Sequence, residues 1–309
     1  MFYNYILEQK SNKNNYQLYT TNTMLFLCLY LFISLLSFTK SISLDLYQEL
    51  NTTVWLSGAA YCGKENYKTM VLSGPATGFV YKETLYDAKT DLQGYIGTLA
   101  STKTIYVVLR GSSSTMNWLD DFEVKKISYT THPECKCDVH NGFYHSALGV
   151  SNKTIQSVKL LKETYPSYSV VVTGHSYGAA CGQLIAMELE KTGIQTRLYN
   201  YGQPRVGDKK YASFVNAVIP TYYRITHNKD IVPHVPPIDG FDYFHSCTEI
   251  FEDINGKLTT CSDVNCEDPK CADQYSLTET NTDDHLYYLG HRVSCEESTL
   301  STFIHLIHL

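Results

Sequence analysis

Apolar and polar positions along the chain fall into two recurring patterns. Short runs rich in β-branched and aromatic residues occupy 78–81, 95–99, 105–109, 170–173, 196–201 and 221–225. Runs of this length between turn residues predict buried strands. Between several of them the apolar spacing changes to three and four. Residues 141–164 carry Phe143, Ala147, Val150, Ile155, Val158 and Leu161, and residues 177–192 carry Ala180, Leu184, Ile185, Met187 and Leu189. That spacing puts one apolar stripe on a helix; residues 208–218 predict a third. Strands alternating with helices imply an α/β fold with a central, mostly parallel sheet flanked by helices. Residues 239–280 break the alternation. They are rich in acid, cysteine and turn residues, and predict an antiparallel or irregular excursion pinned by disulfides. No repeat or linker divides 44–309, so one domain is expected there.

Residues 24–38 form an apolar run of a different kind. A bilayer span needs about 20 such residues, a signal-peptide core about 7–15. The run fits the second, with Lys10 and Lys13 upstream and the small Ser41 and Ser43 downstream. Residues 1–43 therefore read as a signal peptide. The long stretch before the run leaves open a start at Met24 or an uncleaved anchor. A hydrophobic share of 43% against 18% charged supports a sizeable core, and a net charge of −6 without a long basic run excludes nucleic acid as a partner.

Cysteine use points to the same compartment. Of ten cysteines, Cys28 lies in the leader. In an oxidising lumen most of the other nine should pair, and Cys181, inside an apolar helical stretch, is the one expected to stay free and buried. Asn51-Thr52-Thr53 and Asn152-Lys153-Thr154 are glycosylation sequons, meaningful only in a secreted chain.

The chemistry is concentrated at Gly174-His175-Ser176-Tyr177-Gly178, a G-x-S-x-G run between a strand and a helix. A sharp strand-to-helix turn holds such a serine in a strained conformation with its oxygen presented. The flanking glycines avoid collision with the neighbouring strand or helix. The N–H of Tyr177 then lies at a helix N-terminus, where it can stabilise an oxyanion. In this arrangement an acid and then a histidine follow along the chain. Asp230 sits just past a strand in a loop stiffened by Pro233, Pro236 and Pro237. His234, His245, His285, His291, His305 and His308 all come after it. His234 is too near Asp230 in sequence to be its partner and is expected to line the site. His305 and His308 belong to an apolar tail. His285 follows a long polar loop and can drop onto Ser176, and it is our assignment for the base.

Five motifs, in order, resemble the class 3 (fungal-type) triacylglycerol lipases. They are Arg110-Gly111-Ser112 through Trp118 to Glu123, Gly174 to Gly178, Tyr201 to Gly207, His227 to Pro237, and Asp284-His285-Leu286-Tyr287-Tyr288. The likeness covers roughly residues 45–300. It implies the α/β-hydrolase fold, a Ser176–His285–Asp230 triad, and an oxyanion hole from the N–H groups of Ser112 and Tyr177. It also implies a lid over 113–122 with Trp118 on its inner face. Cys62 and Cys295 resemble the family bridge, whose long loop contributes roughly 5 kcal/mol in the chain-entropy account. Cys261 with Cys266, and Cys247 with Cys271, are the remaining expected pairs. Cys135-Lys136-Cys137 reads as a short disulfide or, with His132 and His140, as a zinc set by residue type. The chain departs from the family in having Tyr177 where Leu is common, expected to narrow the acyl pocket, and in the acidic Asp120, Asp121 and Glu123, which leave the acyl-chain preference open.

The expected activity is hydrolysis of acylglycerol esters through an acyl-enzyme, with no cofactor or metal, by a secreted protein that contacts a lipid surface transiently. A lysosomal or membrane-anchored location stays open. The rival readings are an esterase on soluble or feruloyl-type esters, a phospholipase, and a non-catalytic lipid-binding relative.

Overall fold

The computed structural model describes residues 42–113, 123–264 and 266–299. The leader assigned to 1–43, apart from its last two residues, and the lid assigned to 113–122, apart from Ser113, lie outside the described residues, as does Trp118.

Twelve strands and five α-helices are described. The central sheet holds β1 (Phe79–Asp87), β2 (Leu92–Leu99), β3 (Thr104–Leu109), β6 (Ser169–His175), β7 (Thr196–Tyr201), β8 (Tyr222–His227), β9 (Glu249–Glu252) and β10 (Leu258–Thr260), in that order. From β3 to β9 every neighbour is parallel; β1, β2 and β10 run antiparallel at the edges. Alternation along the buried strands feeds two cores. Val107, Val170, Val172 and Leu198 face one cluster, which α2 (Asn141–Thr164) and α3 (Tyr177–Lys191) cover. Val108, Val171, Tyr199 and Tyr201 face the other, beneath α1 (Leu44–Ala59). A sheet buried on both faces is what the continuous apolar runs demanded. No helix among the described residues is long and apolar enough to cross a membrane.

The hairpin β4 (Lys126–Ser128) and β5 (Asp138–His140) and the short pair of Tyr287–Tyr288 with His291–Arg292 were not foreseen. β9 lies inside the stretch expected to be an antiparallel or irregular excursion; it pairs antiparallel with β10, in line with the first alternative, and parallel with β8, which extends the central sheet. Its apolar core is only Ile250 and Phe251, between Glu249 and Glu252. Both carboxylates are buried, and both are satisfied. Glu249 accepts from Arg224 (3.1 Å), Thr226 (2.6 Å) and the N–H of Ala272 (3.1 Å), and Glu252 accepts from the N–H of Leu289 (2.6 Å). A strand can carry buried acids when each has its donors.

The disulfides correct the expected pairing in this region. Cys247 joins Cys266 and Cys261 joins Cys271, rather than Cys261 with Cys266 and Cys247 with Cys271. Burial sorts the sulfurs. Cys261 and Cys271 are inside, packed with Phe251 and Ala272. Cys247 and Cys266 sit outside beside Asn216, on α4 (Lys209–Val218), which accepts the Cys247 N–H at 2.9 Å. Cys62–Cys295, at the start of α5 (Cys295–Ser298), and Cys135–Cys137 are bridged, and Cys181 is free and buried. The sulfurs of Cys135 and Cys137 are thus unavailable to the zinc set with His132 and His140.

The Asp230 loop is anchored to this excursion by Arg205, which is 3% exposed. Its guanidinium donates twice to Glu267 (2.9 and 3.0 Å), once to Asp273 (3.4 Å), and to the carbonyls of His234 (2.8 Å) and Pro236 (3.1 Å). Burial, with its cost to a carboxylate, is outweighed at Glu267 by His245 and Arg205, which hold it well below the usual range. Burial and the neighbouring Glu267 instead push Asp273 up to about 7. Asp273 therefore binds its proton more tightly folded than unfolded. Its contribution to stability is full below the ordinary value of 3.8 and is lost as pH rises through about 7. Asp273→Asn removes this loss. The melting temperature of the variant relative to the parent should become more favourable as pH is raised from about 5 to about 8; a pH-independent difference would refute the linkage.

Candidate active site

Ser176 sits where β6 ends and α3 begins, at φ 60° and ψ −132°. A non-glycine residue rarely adopts positive φ, and the surroundings impose it here. A Cβ on Gly174 would lie 2.6 Å from the carbonyl group of Gly178, and one on Gly178 would lie 2.3 Å from the carbonyl oxygen of Leu109. Both flanking glycines are therefore steric necessities. The Ser176 N–H donates to Tyr201 O at 2.9 Å. Its side chain is buried, and Oγ has no hydrogen-bond partner among the described residues. Tyr177 opens α3, so its N–H has no acceptor within the helix. The Tyr177 ring packs 5.9 Å from that of Phe143, across α3 and α2.

Asp230 and His285 arrive on separate loops that Asp284 zips together. The Asp284 carboxylate accepts from Asn228 Nδ2 (2.9 Å), the Lys229 N–H (3.1 Å) and Asn281 Nδ2 (2.9 Å), while its carbonyl accepts from His227 Nδ1 (2.9 Å). Asp230 Oδ2 then accepts from His285 Nδ1 at 2.8 Å and from the Tyr288 hydroxyl, and Oδ1 accepts the Val232 N–H at 2.8 Å. Burial opposes the Asp230 charge, but His285, Tyr288 and Val232 outweigh it and hold the carboxyl below the usual range. An ionised Asp230 fixes the His285 proton on Nδ1 and leaves Nε2 as the acceptor. That Nε2 is buried and has no partner among the described residues. The ring also explains Gly202 of the Tyr201–Gly207 motif. A Cβ there would lie 2.8 Å from His285 Nδ1 and 2.7 Å from the Tyr288 hydroxyl.

His175, the residue just before the serine, ties the loops together. Its Nε2 donates to His285 O at 2.8 Å, so Nδ1 must accept, and Tyr61 donates to it at 2.6 Å. Burial drives the His175 pKa down to about 3, which keeps the ring neutral. Tyr61 also reaches the loop after β3. A Cβ on Gly111 would meet Tyr61 Oη at 2.1 Å and Ser176 Cβ at 3.0 Å, so this backbone runs against the serine and places Ser112 beside it. Removing the phenol in Tyr61→Phe leaves His175 Nδ1 buried without a donor. Urea unfolding should show a loss of about 1–3 kcal/mol; an unchanged midpoint would mean that the hydrogen bond is inert.

The structure brings Ser176, Asp230, His285, Tyr177 and Ser112 to the carboxyl ends of the parallel strands. His234, expected to line the site, has Nδ1 3.9 Å from Asp273 Oδ1, and its Nε2 is buried without a partner among the described residues. Sequence reasoning missed Tyr61, Asp284 and Tyr288. Asp284 and Tyr288 lay inside the motif around His285 but carried no role there, and Tyr61 lay in none. Among the described residues one cluster has metal-ligand atoms in reach, Glu249 with Cys261 and Cys271. Both of its sulfurs are consumed by a disulfide.

A mostly parallel sheet, helices on both faces and a serine at a strand-to-helix elbow define an α/β-hydrolase. The family model described as lipase (class 3) matches residues 106–240. The lipase of Rhizomucor miehei is 34% identical over 263 residues, 79% of this chain and 69% of that protein. The secreted mono- and diacylglycerol lipase 1 of Fusarium solani is 34% identical over 196 residues, 63% of this chain and 55% of that protein. A solved triacylglycerol lipase, whose catalytic centre is a serine protease triad, superposes with a TM-score of 0.76 at 31% identity, over 83% of this chain and 98% of that one. The chain belongs to the class 3 lipase family of ester hydrolases.

Proposed function

We propose that the protein is a secreted lipase that hydrolyses carboxylic esters of acylglycerols through an acyl-enzyme on Ser176. One observation carries this reading: a serine at positive φ, next to His175 whose ring bonds the His285 backbone, stands with the Asp230–His285 pair, and both Ser176 Oγ and His285 Nε2 are buried without a partner among the described residues. Buried polar atoms in a native site are paired unless something else is meant to engage them.

The chemistry follows from these positions. His285 Nε2 takes the Oγ proton as Ser176 attacks the ester carbonyl. The N–H groups of Ser112 and Tyr177 receive the oxyanion, and the imidazolium returns its proton to the departing alcohol. Asp230 stabilises that imidazolium without taking its proton. Water then repeats the cycle on the acyl-enzyme. The acylglycerol substrate is supported by the names of the Rhizomucor and Fusarium relatives. Secretion is supported by the description of the Fusarium relative, by four disulfides among the described residues, and by the apolar run at 24–38.

The test compares hydrolysis of emulsified tri- and diacylglycerols with that of a dispersed short-chain ester, alongside mass mapping after a p-nitrophenyl alkylphosphonate. A single phosphonyl adduct on Ser176 and faster turnover of the emulsion support the proposal. An adduct elsewhere would sink the mechanism. An adduct on Ser176 with turnover of the soluble ester alone would keep the mechanism and replace the lipase reading by an esterase.

A further inference from the structure

The Cys135-Lys136-Cys137 bridge has no part in the chemistry at Ser176. It joins residues two apart, whereas Cys62–Cys295 spans 233 positions. A bridge that encloses one residue restricts almost none of the unfolded chain, so it adds little to stability. Lys136 is held between the two cysteines at φ 49°, a region costly for a residue with a side chain and one that an open bridge would let it leave.

The strand that follows does not depend on the bridge. Tyr129 N–H donates to Cys137 O (2.9 Å), Asp138 N–H to Asp208 Oδ2 (3.0 Å), and His140 N–H to Val206 O (2.8 Å). Access differs between the two sulfurs. Cys137 is 3% exposed. Cys135 is half-buried and lines an open groove of about 720 Å³ with Glu134, Lys209, Lys210 and Phe214. Cys62, Cys261 and Cys271, from two of the other bridges, are buried; Cys247 and Cys266 are half-buried like Cys135, but their bridge spans 19 positions rather than two.

We infer that Cys135–Cys137 is a thiol-exchange site for low-molecular-weight thiols. A thiolate in the groove bonds to Cys135 Sγ. The Cys135–Cys137 bond breaks, and its electron pair leaves on Cys137 Sγ, which takes a proton from water. A second thiolate attacks the mixed disulfide and releases Cys135. Two small thiols are thereby oxidised to one disulfide, and one protein bridge is reduced. Attack falls on Cys135 because that residue borders the groove while Cys137 is covered by the fold.

The experiment incubates the full native chain with graded dithiothreitol, traps free thiols with N-ethylmaleimide, and maps the labels by peptide mass. Cys135 and Cys137 should become labelled at roughly tenfold less reductant than any cysteine of the Cys62–Cys295 and Cys261–Cys271 bridges. Glutathione disulfide should place one adduct on Cys135 in Cys137→Ala, and far less on Cys137 in Cys135→Ala. Opening of all four bridges together, or an adduct confined to Cys137, would overturn the inference. If the single variants fail to fold, the labelling order in the unaltered chain decides alone.

Discussion

Ser176→Ala should leave a folded protein that hydrolyses every ester substrate more slowly by a factor on the order of 10⁵–10⁶, with little change in KM. The loss is this large because the mechanism has no other nucleophile: His285, oriented by Asp230, would activate the Ser176 hydroxyl. The surroundings tolerate the change. Ser176 Oγ makes no hydrogen bond among the described residues, and the backbone geometry is fixed by Gly174, Gly178 and the Ser176 N–H bond to Tyr201 O rather than by the side chain. The melting temperature should therefore stay at or above that of the parent, since alanine relieves a buried unpaired oxygen. Initial rates on a soluble ester, with calorimetry of both proteins, check both halves. A variant that keeps a tenth of the activity would remove Ser176 from the mechanism.

Asp230→Asn should cost roughly 10⁴-fold in kcat, the scale seen when the same change is made in other serine triads. The carboxylate receives three donors: His285 Nδ1 and the Tyr288 hydroxyl on Oδ2, and the Val232 N–H on Oδ1. An amide has one acceptor oxygen. If that oxygen stays on Val232, the new NH₂ faces His285 Nδ1 and drives its proton to Nε2, where a base is needed. If the amide flips, the NH₂ confronts the Val232 N–H instead. Either way the site holds an unsatisfied buried donor or a wrong tautomer. Nitrogen chemical shifts of the labelled imidazole separate a tautomer change from simple loosening, which would leave the His285 proton on Nδ1. A kcat within tenfold of the parent would mean that Asp230 does not orient the base.

Much of this was legible in the chain because the signals are local. The β-branched run at 170–173 and the Leu- and Tyr-bearing run at 196–201 are strands because both faces of the sheet are covered. The glycines around Ser176 announce an elbow because no side chain fits there. The excursion was harder. Glu249 and Glu252 look like loop residues until Arg224 and the Leu289 N–H are found to satisfy them. Those partners lie 25 and 37 positions away, so no local pattern contains them.

The sequence by itself determined the parallel sheet, the order of serine, acid and histidine, and the free Cys181. Each of these depends on spacing within one element or on chain order, which the fold does not alter. Only the tertiary structure decided which cysteines pair in the excursion, since burial separates Cys261 and Cys271 from Cys247 and Cys266. It alone revealed Asp284 as the clasp between the acid and base loops, and the Tyr61–His175 link from the Gly111 loop to the His285 backbone. Those contacts join residues that are 55, 110 and 114 positions apart along the chain. Their hydrogen bonds form only once the sheet has brought its strand ends together.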